Sequence, residues 1–158
     1  MRIGVLSDTH LNVPSDKLIK IIDMYFKDTD MILHAGDIVG EEVLNAFSGR
    51  DLRAVMENMD SAAIKKILPR KQVIKIGKFK IGLTHGAGSP TFTEMDLMGE
   101  FEDVDCIVYG HTHSPANHLV DGILFFNPGA LAGRRNANGG SIGILEIDDK
   151  VRGRIIRL

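Results

Sequence analysis

Two histidines flank a single threonine in Tyr109-Gly110-His111-Thr112-His113, directly after the apolar run Cys106-Ile107-Val108. Two polar side chains on an exposed loop would account for them. So would a pair of metal ligands at the end of a buried strand. The rest of the chain bears on the choice, because other donors recur in the same context. Asp8-Thr9-His10 follows the apolar stretch at residues 2–7, and Gly36-Asp37 follows Met31-Ile32-Leu33. Asn58 and Asp60 follow residues 52–56, and His85-Gly86 follows the apolar segment that ends at Leu83-Thr84. Alone, each motif is weak: Asp8 could cap a turn, and Asn58 could bond its own backbone. As an ordered set at five strand ends they point to a metal site. Open α/β sheets place their sites beyond the carboxyl ends of the strands.

The donor types narrow the metal. Neutral imidazoles, two carboxylates and a carboxamide, with no thiolate, suit Mn, Fe, Ni, Co or Zn rather than a Cys-rich structural zinc. Seven donors (Asp8, His10, Asp37, Asn58, His85, His111 and His113) exceed what one ion can take with a position left for substrate. Two divalent ions sharing a bridging carboxylate would use them all. Paired ions about 3.5–4 Å apart are a recurring device for in-line attack at phosphorus. They bring the pKa of a bound water from 15.7 to about 7, which supplies hydroxide at neutral pH, and they offset charge on the phosphoryl oxygens.

The elements that must hold these loops are legible in the periodicity. Residues 2–7 read as a buried strand. Ser15 reads as the N-cap of a helix running to about Lys27, with Leu18, Ile19, Ile22 and Phe26 on its apolar face. Strands are expected at 31–37 and 52–56, a short helix from Glu41 to Phe47, and another at 61–68 with a serine cap and Pro69 as its stop. Beyond Pro69 the pattern changes to hairpins: one around Gly77-Lys78, one turning at Asp121-Gly122, and one near Asp149-Lys150. A helix near 91–101 precedes the strand at 105–110. The expectation is one mixed α/β domain over 1–158, a βαβ unit followed by antiparallel strands.

Composition sets the outer bounds. The chain has 158 residues, 44% hydrophobic and 25% charged, with a formal net charge of −2. That balance argues against general nucleic-acid binding or an anionic-membrane surface. No stretch approaches the ~18 apolar residues of a membrane span, and the N-terminus lacks the form of a secretory signal. A single cysteine, Cys106, forbids an internal disulfide. A cytoplasmic protein acting on a small substrate is the expectation, with a homo-oligomer left open.

With these motifs in view, the chain resembles the calcineurin-like metallophosphoesterases, in particular the small single-domain phosphodiesterases of bacteria and archaea. The resemblance rests on Ser7–His10, His34–Asp37, Glu57–Asp60, Leu83–Gly86, Tyr109–His113 and Phe126–Ala130. It implies a four-layer α/β/β/α sandwich of two mixed sheets with a dinuclear metal centre at one end. It also implies that Asp8, His10, Asp37 and His113 hold one ion, and that Asp37, Asn58, His85 and His111 hold the other, with Asp37 bridging. His111 and His113 would then serve different ions. Mn2+ is the first expectation, with Ni2+, Fe2+, Co2+ or Zn2+ open. Asp37, Asn58 and His85 would be catalytic through metal-bound hydroxide.

Two positions depart from the family pattern. Glu57 stands where the family usually has glycine. Met59 stands where its phosphatases often carry a histidine that assists the leaving group. Methionine transfers no proton, so esters with good leaving groups, such as aryl phosphodiesters, are the expected substrates. A catalytically weak protein-binding scaffold is the alternative, since a eukaryotic retromer subunit resembles this family. A phosphomonoesterase or nucleotide pyrophosphatase is a third reading.

The remaining polar residues have quieter readings. His34 reads as a core histidine behind the ligands. Cys106 reads as a buried thiol, and His118 as exposed. Asp60 either orients a ligand or bonds loop backbone. Asn127, in Asn127-Pro128-Gly129, is expected to hold a ligand loop rather than touch metal. Arg134 and Arg135 read as a solvated pair, one of which could reach a phosphate.

Overall fold

The computed structural model describes residues 1–86, 92–131 and 140–158. Two five-stranded sheets form the frame. The first contains β1 (Arg2–Leu6), β2 (Met31–His34), β3 (Leu52–Ala54), β9 (Ser141–Ile147) and β10 (Val151–Arg157), in the order β10-β9-β1-β2-β3. The second contains β4 (Lys71–Ile76), β5 (Phe79–Thr84), β6 (Cys106–Val108), β7 (Ala116–Val120) and β8 (Ile123–Asn127), in the order β4-β5-β6-β8-β7. Helices α1 (Asp16–Tyr25), α2 (Ala62–Ile67) and α3 (Glu94–Glu100), with a 3₁₀ turn at Glu41–Phe47, complete the described elements.

Strand alternation builds the layers. On β1, Ile3 and Val5 face one way and Leu6 the other. Ile3, Val5 and Leu33 meet Ile81, Leu83, Val108 and Phe126 between the two sheets. Leu6, Ile32 and Ile144 pack outward against Leu18 and Ile22 of α1 and Ile64 of α2. Ile107 and Phe125 pack outward on the other side against Leu97 of α3. Three apolar interfaces separate four layers, helix–sheet–sheet–helix, as the resemblance implied. Each fully buried large side chain contributes roughly 1.5–3 kcal/mol.

Helix starts follow the side-chain chemistry. The Ser15 hydroxyl accepts from Leu18 N at 3.2 Å, and the Ser61 hydroxyl accepts from Ile64 N at 3.2 Å. Thr93 and Asp96 close a capping box on α3. The three hairpin turns fall at Gly77-Lys78, Asp121-Gly122 and Asp148–Lys150. Among the described residues no helix is long and apolar enough to cross a membrane.

One expectation fails. The second half is not a run of antiparallel strands, because β5, β6 and β8 are parallel neighbours. The chain between β5 and β6 carries α3, and the chain between β6 and β8 makes the outer strand β7. Both detours are long enough to reverse the direction and return. The third hairpin leaves this sheet, since β9 pairs antiparallel with β1. Thus β1-β2-β3 and β5-β6-β8 form a parallel trio in each sheet, and the loops at their carboxyl ends approach one another.

Candidate metal centre

The loops after β1 and β2 continue the strand pairing past the sheet. Asp8 N donates to Gly36 O at 3.0 Å, and His10 N donates to Asp37 O at 3.1 Å. Leu11 N donates to Ile38 O at 3.1 Å. In the second sheet, Gly110 N donates to His85 O at 3.0 Å. The two sets of loops are then stitched together. His111 N donates across to Asp8 Oδ2 at 3.2 Å, while the Ser7 hydroxyl, donating to Ala35 O at 3.1 Å, braces the first set internally. Gly110 permits this approach. A methyl group there would lie 2.0 Å from Ser7 Oγ and 2.9 Å from Asp8 Oδ2.

The result is a tight polar cluster. Donor atoms of Asp8, His10, Asp37 and His113 all lie within 4.8 Å of one another. His10 Nδ1 is 3.2 Å from Asp37 Oδ2, and His113 Nε2 is 3.1 Å from Asp8 Oδ1. The Nε2 atoms of His10 and His113 face each other at 3.3 Å. Asp8 is wholly buried, whereas His10 has 36% of its side chain exposed. The cluster is therefore deep at one end and open at the other.

Next to it stand His85 and His111, with ring centroids 5.2 Å apart and nearly perpendicular planes. His85 Nδ1 is 2.7 Å from Ala35 O. A carbonyl only accepts, so Nδ1 carries a proton, and in the neutral ring Nε2 keeps the lone pair. That Nε2 is buried and has no hydrogen-bond partner among the described residues, and the same is true of Asp37 Oδ1. Leaving a buried polar atom unsatisfied costs about 1–3 kcal/mol. A cation satisfies an imidazole lone pair and a carboxylate oxygen alike, so the donor set fits a metal.

Asn58 is exposed. It lines the wall of a cleft of about 470 Å³, together with Glu57, Met59, His85 and His111. Its amide oxygen accepts from Arg70 Nη2 at 3.4 Å. The gathered group thus comprises Asp8, His10, Asp37 and His113, while His85, His111 and Asn58 form the cleft beside it.

Backbone strain concentrates here. Asp8, His10, Asp37, His111 and His113 have φ of 53°, 50°, 58°, 67° and 58°. Aspartate and histidine tolerate the left-handed region better than most residues, but each such residue still stores about 1–3 kcal/mol. Val39, with φ of 84°, is β-branched and a harder case. Asp60 pins it. Asp60 Oδ1 accepts from Ile38 N at 2.8 Å and Val39 N at 2.7 Å, while Oδ2 accepts from Glu57 N at 2.7 Å. Asp60 therefore bonds loop backbone and, by doing so, ties the Asp37 loop to the Asn58 loop. Its role needed the contacts to be visible, because a buried acceptor for three amides leaves no spacing signal.

The supporting residues have defined partners. His34 is buried, accepts from Gly36 N at Nδ1 (3.2 Å), and meets Thr9 Oγ1 at Nε2 (3.2 Å). Burial lowers its pKa to about 4, against the pull of Asp8, so the ring is neutral. Asn127 Nδ2 donates to Gly110 O at 2.9 Å and Thr112 Oγ1 at 3.1 Å, holding the histidine loop. Burial alone would raise the Asp8 carboxyl. His113 beside it, with His85 and Ser7, outweighs burial and holds its pKa below the ordinary value. Burial, then His85, lowers the pKa of His111. Glu57 keeps a φ outside the positive range, so the loop needs no glycine there, and its carboxylate accepts from Met59 N. Cys106 is buried and its thiol is pushed far up by burial. His118 is exposed and pairs with Glu94. Arg134 and Arg135 lie outside the described residues.

The chain is thus a two-sheet α/β sandwich that gathers carboxylates and imidazoles at the carboxyl ends of its parallel strands, a candidate metal-binding fold. Residues 1–150 match the family model described as the calcineurin-like phosphoesterase superfamily domain, and the chain belongs to that family. It is 35% identical over 162 residues to a probable metallophosphoesterase of Methanocaldococcus jannaschii, covering 99% of this chain and 81% of that one. Its fold matches a solved structure from the structural and functional characterisation of an archaeal phosphodiesterase. There the TM-score is 0.78 with 28% identity, and all of both chains is covered. It also matches Vps29 of Entamoeba histolytica complexed with Zn2+, with a TM-score of 0.75 and 26% identity over 99% of each chain.

Proposed function

We propose that the chain is a metal-dependent phosphodiesterase that binds two divalent ions. In this reading Asp8, His10, Asp37 and His113 hold one ion. Asp37, Asn58, His85 and His111 hold the other, with Asp37 shared and Mn2+ the first candidate. The observation that carries it is the convergence of Asp8, His10, Asp37 and His113 from three strand ends on one point. Asp37 has an oxygen to spare for a second ion, since Oδ2 faces His10 and Oδ1 has no hydrogen-bond partner among the described residues. His85 presents its unbonded Nε2 from a ring fixed by Ala35 O.

Bound divalent ions would supply Lewis acidity and a hydrolytic nucleophile at neutral pH. The chain's own residues do the positioning. Asp60, Asn127 and His34 fix the loops, so little reorganisation is needed when charge develops at phosphorus. Met59 stands on the cleft wall with 76% of its surface exposed and can give no proton to a leaving group. This favours phosphodiesters whose leaving group departs as a stable anion.

The test is to strip the protein with chelator, restore Mn2+, Ni2+ or Zn2+, and follow an aryl phosphodiester. Restoration of hydrolysis, with two ions bound per chain, is the expected result. Hydrolysis that is absent, or indifferent to metal, would overturn this reading and favour the scaffold alternative, which the Vps29 fold likeness keeps in view. Faster turnover of monoesters than of matched diesters would shift the assignment to a phosphomonoesterase.

A further inference from the structure

The cleft beside His85 and His111 is bordered by cations that are not among the proposed metal ligands. Two cations from the α2 region converge on Asn58. Lys65 Nζ donates to the Asn58 carbonyl at 2.5 Å, and Arg70 Nη2 donates to its side-chain oxygen at 3.4 Å. Neither has a carboxylate within ion-pair distance among the described residues, whereas Arg50, Arg53, Lys80 and Arg152 all do. The 3.4 Å contact is long for a hydrogen bond, and a guanidinium has five N–H donors. Most of the donor capacity of Arg70, an exposed residue of the cleft lining, is therefore unused.

Lys71, the other cation on the cleft lining, is held on two sides. Lys71 Nζ donates to Glu100 O at 2.6 Å and lies over the Phe101 ring. Of the acids that line the cleft, Glu57 accepts from Met59 N and Glu100 accepts from the Thr84 hydroxyl. These donors are neutral, so both carboxylates keep their charge; Lys65, Arg70 and Lys71 outnumber them three to two, and Lys65 and Arg70 are the pair gathered at Asn58.

A simple phosphodiester carries one negative charge, which the two ions of the proposed centre offset. Resting on that reading of the site, we propose that Lys65 and Arg70 recognise a second anionic group, carried on an ester arm of the substrate. The substrate class is then a phosphodiester with a carboxylate or a further phosphate on that arm. Arg70 supplies a planar fork that fits either group, and Lys65 adds a point charge beside it.

The test uses a matched pair: a p-nitrophenyl phosphodiester whose other arm ends in a carboxylate, and its neutral methyl ester. On the wild-type protein kcat/KM should favour the carboxylate about five-fold, the size expected for charge pairs at an exposed rim, and added salt should shrink the preference. R70A and K65A should each reduce the ratio, and the double variant should bring it to about one. A ratio of one in the wild type, or a ratio unchanged in the double variant, would overturn the proposal. Calorimetry with the corresponding non-hydrolysable phosphonates separates this from the enzymatic reading. A binding preference lost in the double variant, with no turnover of either ester, keeps the rim and sinks the phosphodiesterase. Equal binding of both phosphonates sinks the rim whatever the turnover.

Discussion

The two sides of the loop cluster are built on different terms. On the side of Asp8, His10, Asp37 and His113, donors from both sheets are pressed together. Their loops are cross-braced by backbone pairing, and each of the four residues is held in a left-handed conformation. On the side of Asn58, the carboxamide is exposed on a cleft wall and flanked by Lys65 and Arg70, and Met59 projects into solvent. One side spends folding energy on geometry. The other leaves side chains free to meet different molecules. The contrast suggests that chemistry resides in the braced side and choice of substrate in the open one, the usual division between a rigid scaffold and its variable loops.

Asp37 gives the largest expected effect, because it is the residue that both sides would share. Asp37→Ala should reduce metal-dependent hydrolysis by about 1,000-fold or more and abolish binding of both ions. Metal content and steady-state rates check this on the same sample. If one ion stays tightly bound, the two sides are independent and the bridge is misassigned.

Asp60 comes next, since it is the tie between the sides. Its carboxylate serves amides of the Asp37 loop through one oxygen and of the Asn58 loop through the other. Asp60→Ala leaves three N–H groups without their acceptor and should cost about 2–3 kcal/mol, read from thermal or urea unfolding. Metal affinity should fall about 10- to 100-fold as the loops lose their alignment. Asp60→Asn keeps one acceptor oxygen and should recover part of both. A variant with lower stability and unaltered metal affinity would show that the tie serves folding alone.

How much of this was legible in the sequence differs along the same line. The strands, the serine caps and the hairpin turns are local events, and Ile3/Val5 against Leu6 or Asp121-Gly122 announce them directly. The gathering of Asp8, His10, Asp37 and His113 was legible because each follows an apolar run, and a buried strand has little other reason to end repeatedly in Asp or His. The parallel pairing of β5, β6 and β8 was not legible. It depends on where the chain returns after α3 and β7, and no residue within those strands encodes a non-local partner. The left-handed backbone at His111 and His113 and the three-amide clamp at Asp60 were hidden for the same reason. They are consequences of two sheets meeting. The approach of Arg70 to Asn58 joins residues on either side of α2, and a lone arginine after a proline carries no signal of it.

Met59 gives the smallest effect and the finest test of the division between the sides. If the braced side performs the chemistry and the open side only tunes it, adding a proton donor at Met59 should alter selectivity without rebuilding the centre. Met59→His places an imidazole on the cleft wall, where it can reach a departing alkoxide. General acids contribute about 10²–10⁴-fold when aligned. This one would be placed by an exposed loop, so a gain of about 10-fold for alkyl over aryl diesters is expected. Aryl esters need little help, because phenolates leave readily without protonation. The measurement is the ratio of kcat/KM for a matched alkyl and aryl pair in the two proteins, with metal content held equal. An unchanged ratio would mean that Met59 does not face the leaving group. A fall in both rates with loss of metal would mean that the open side is part of the centre after all, and the contrast between the two sides would dissolve.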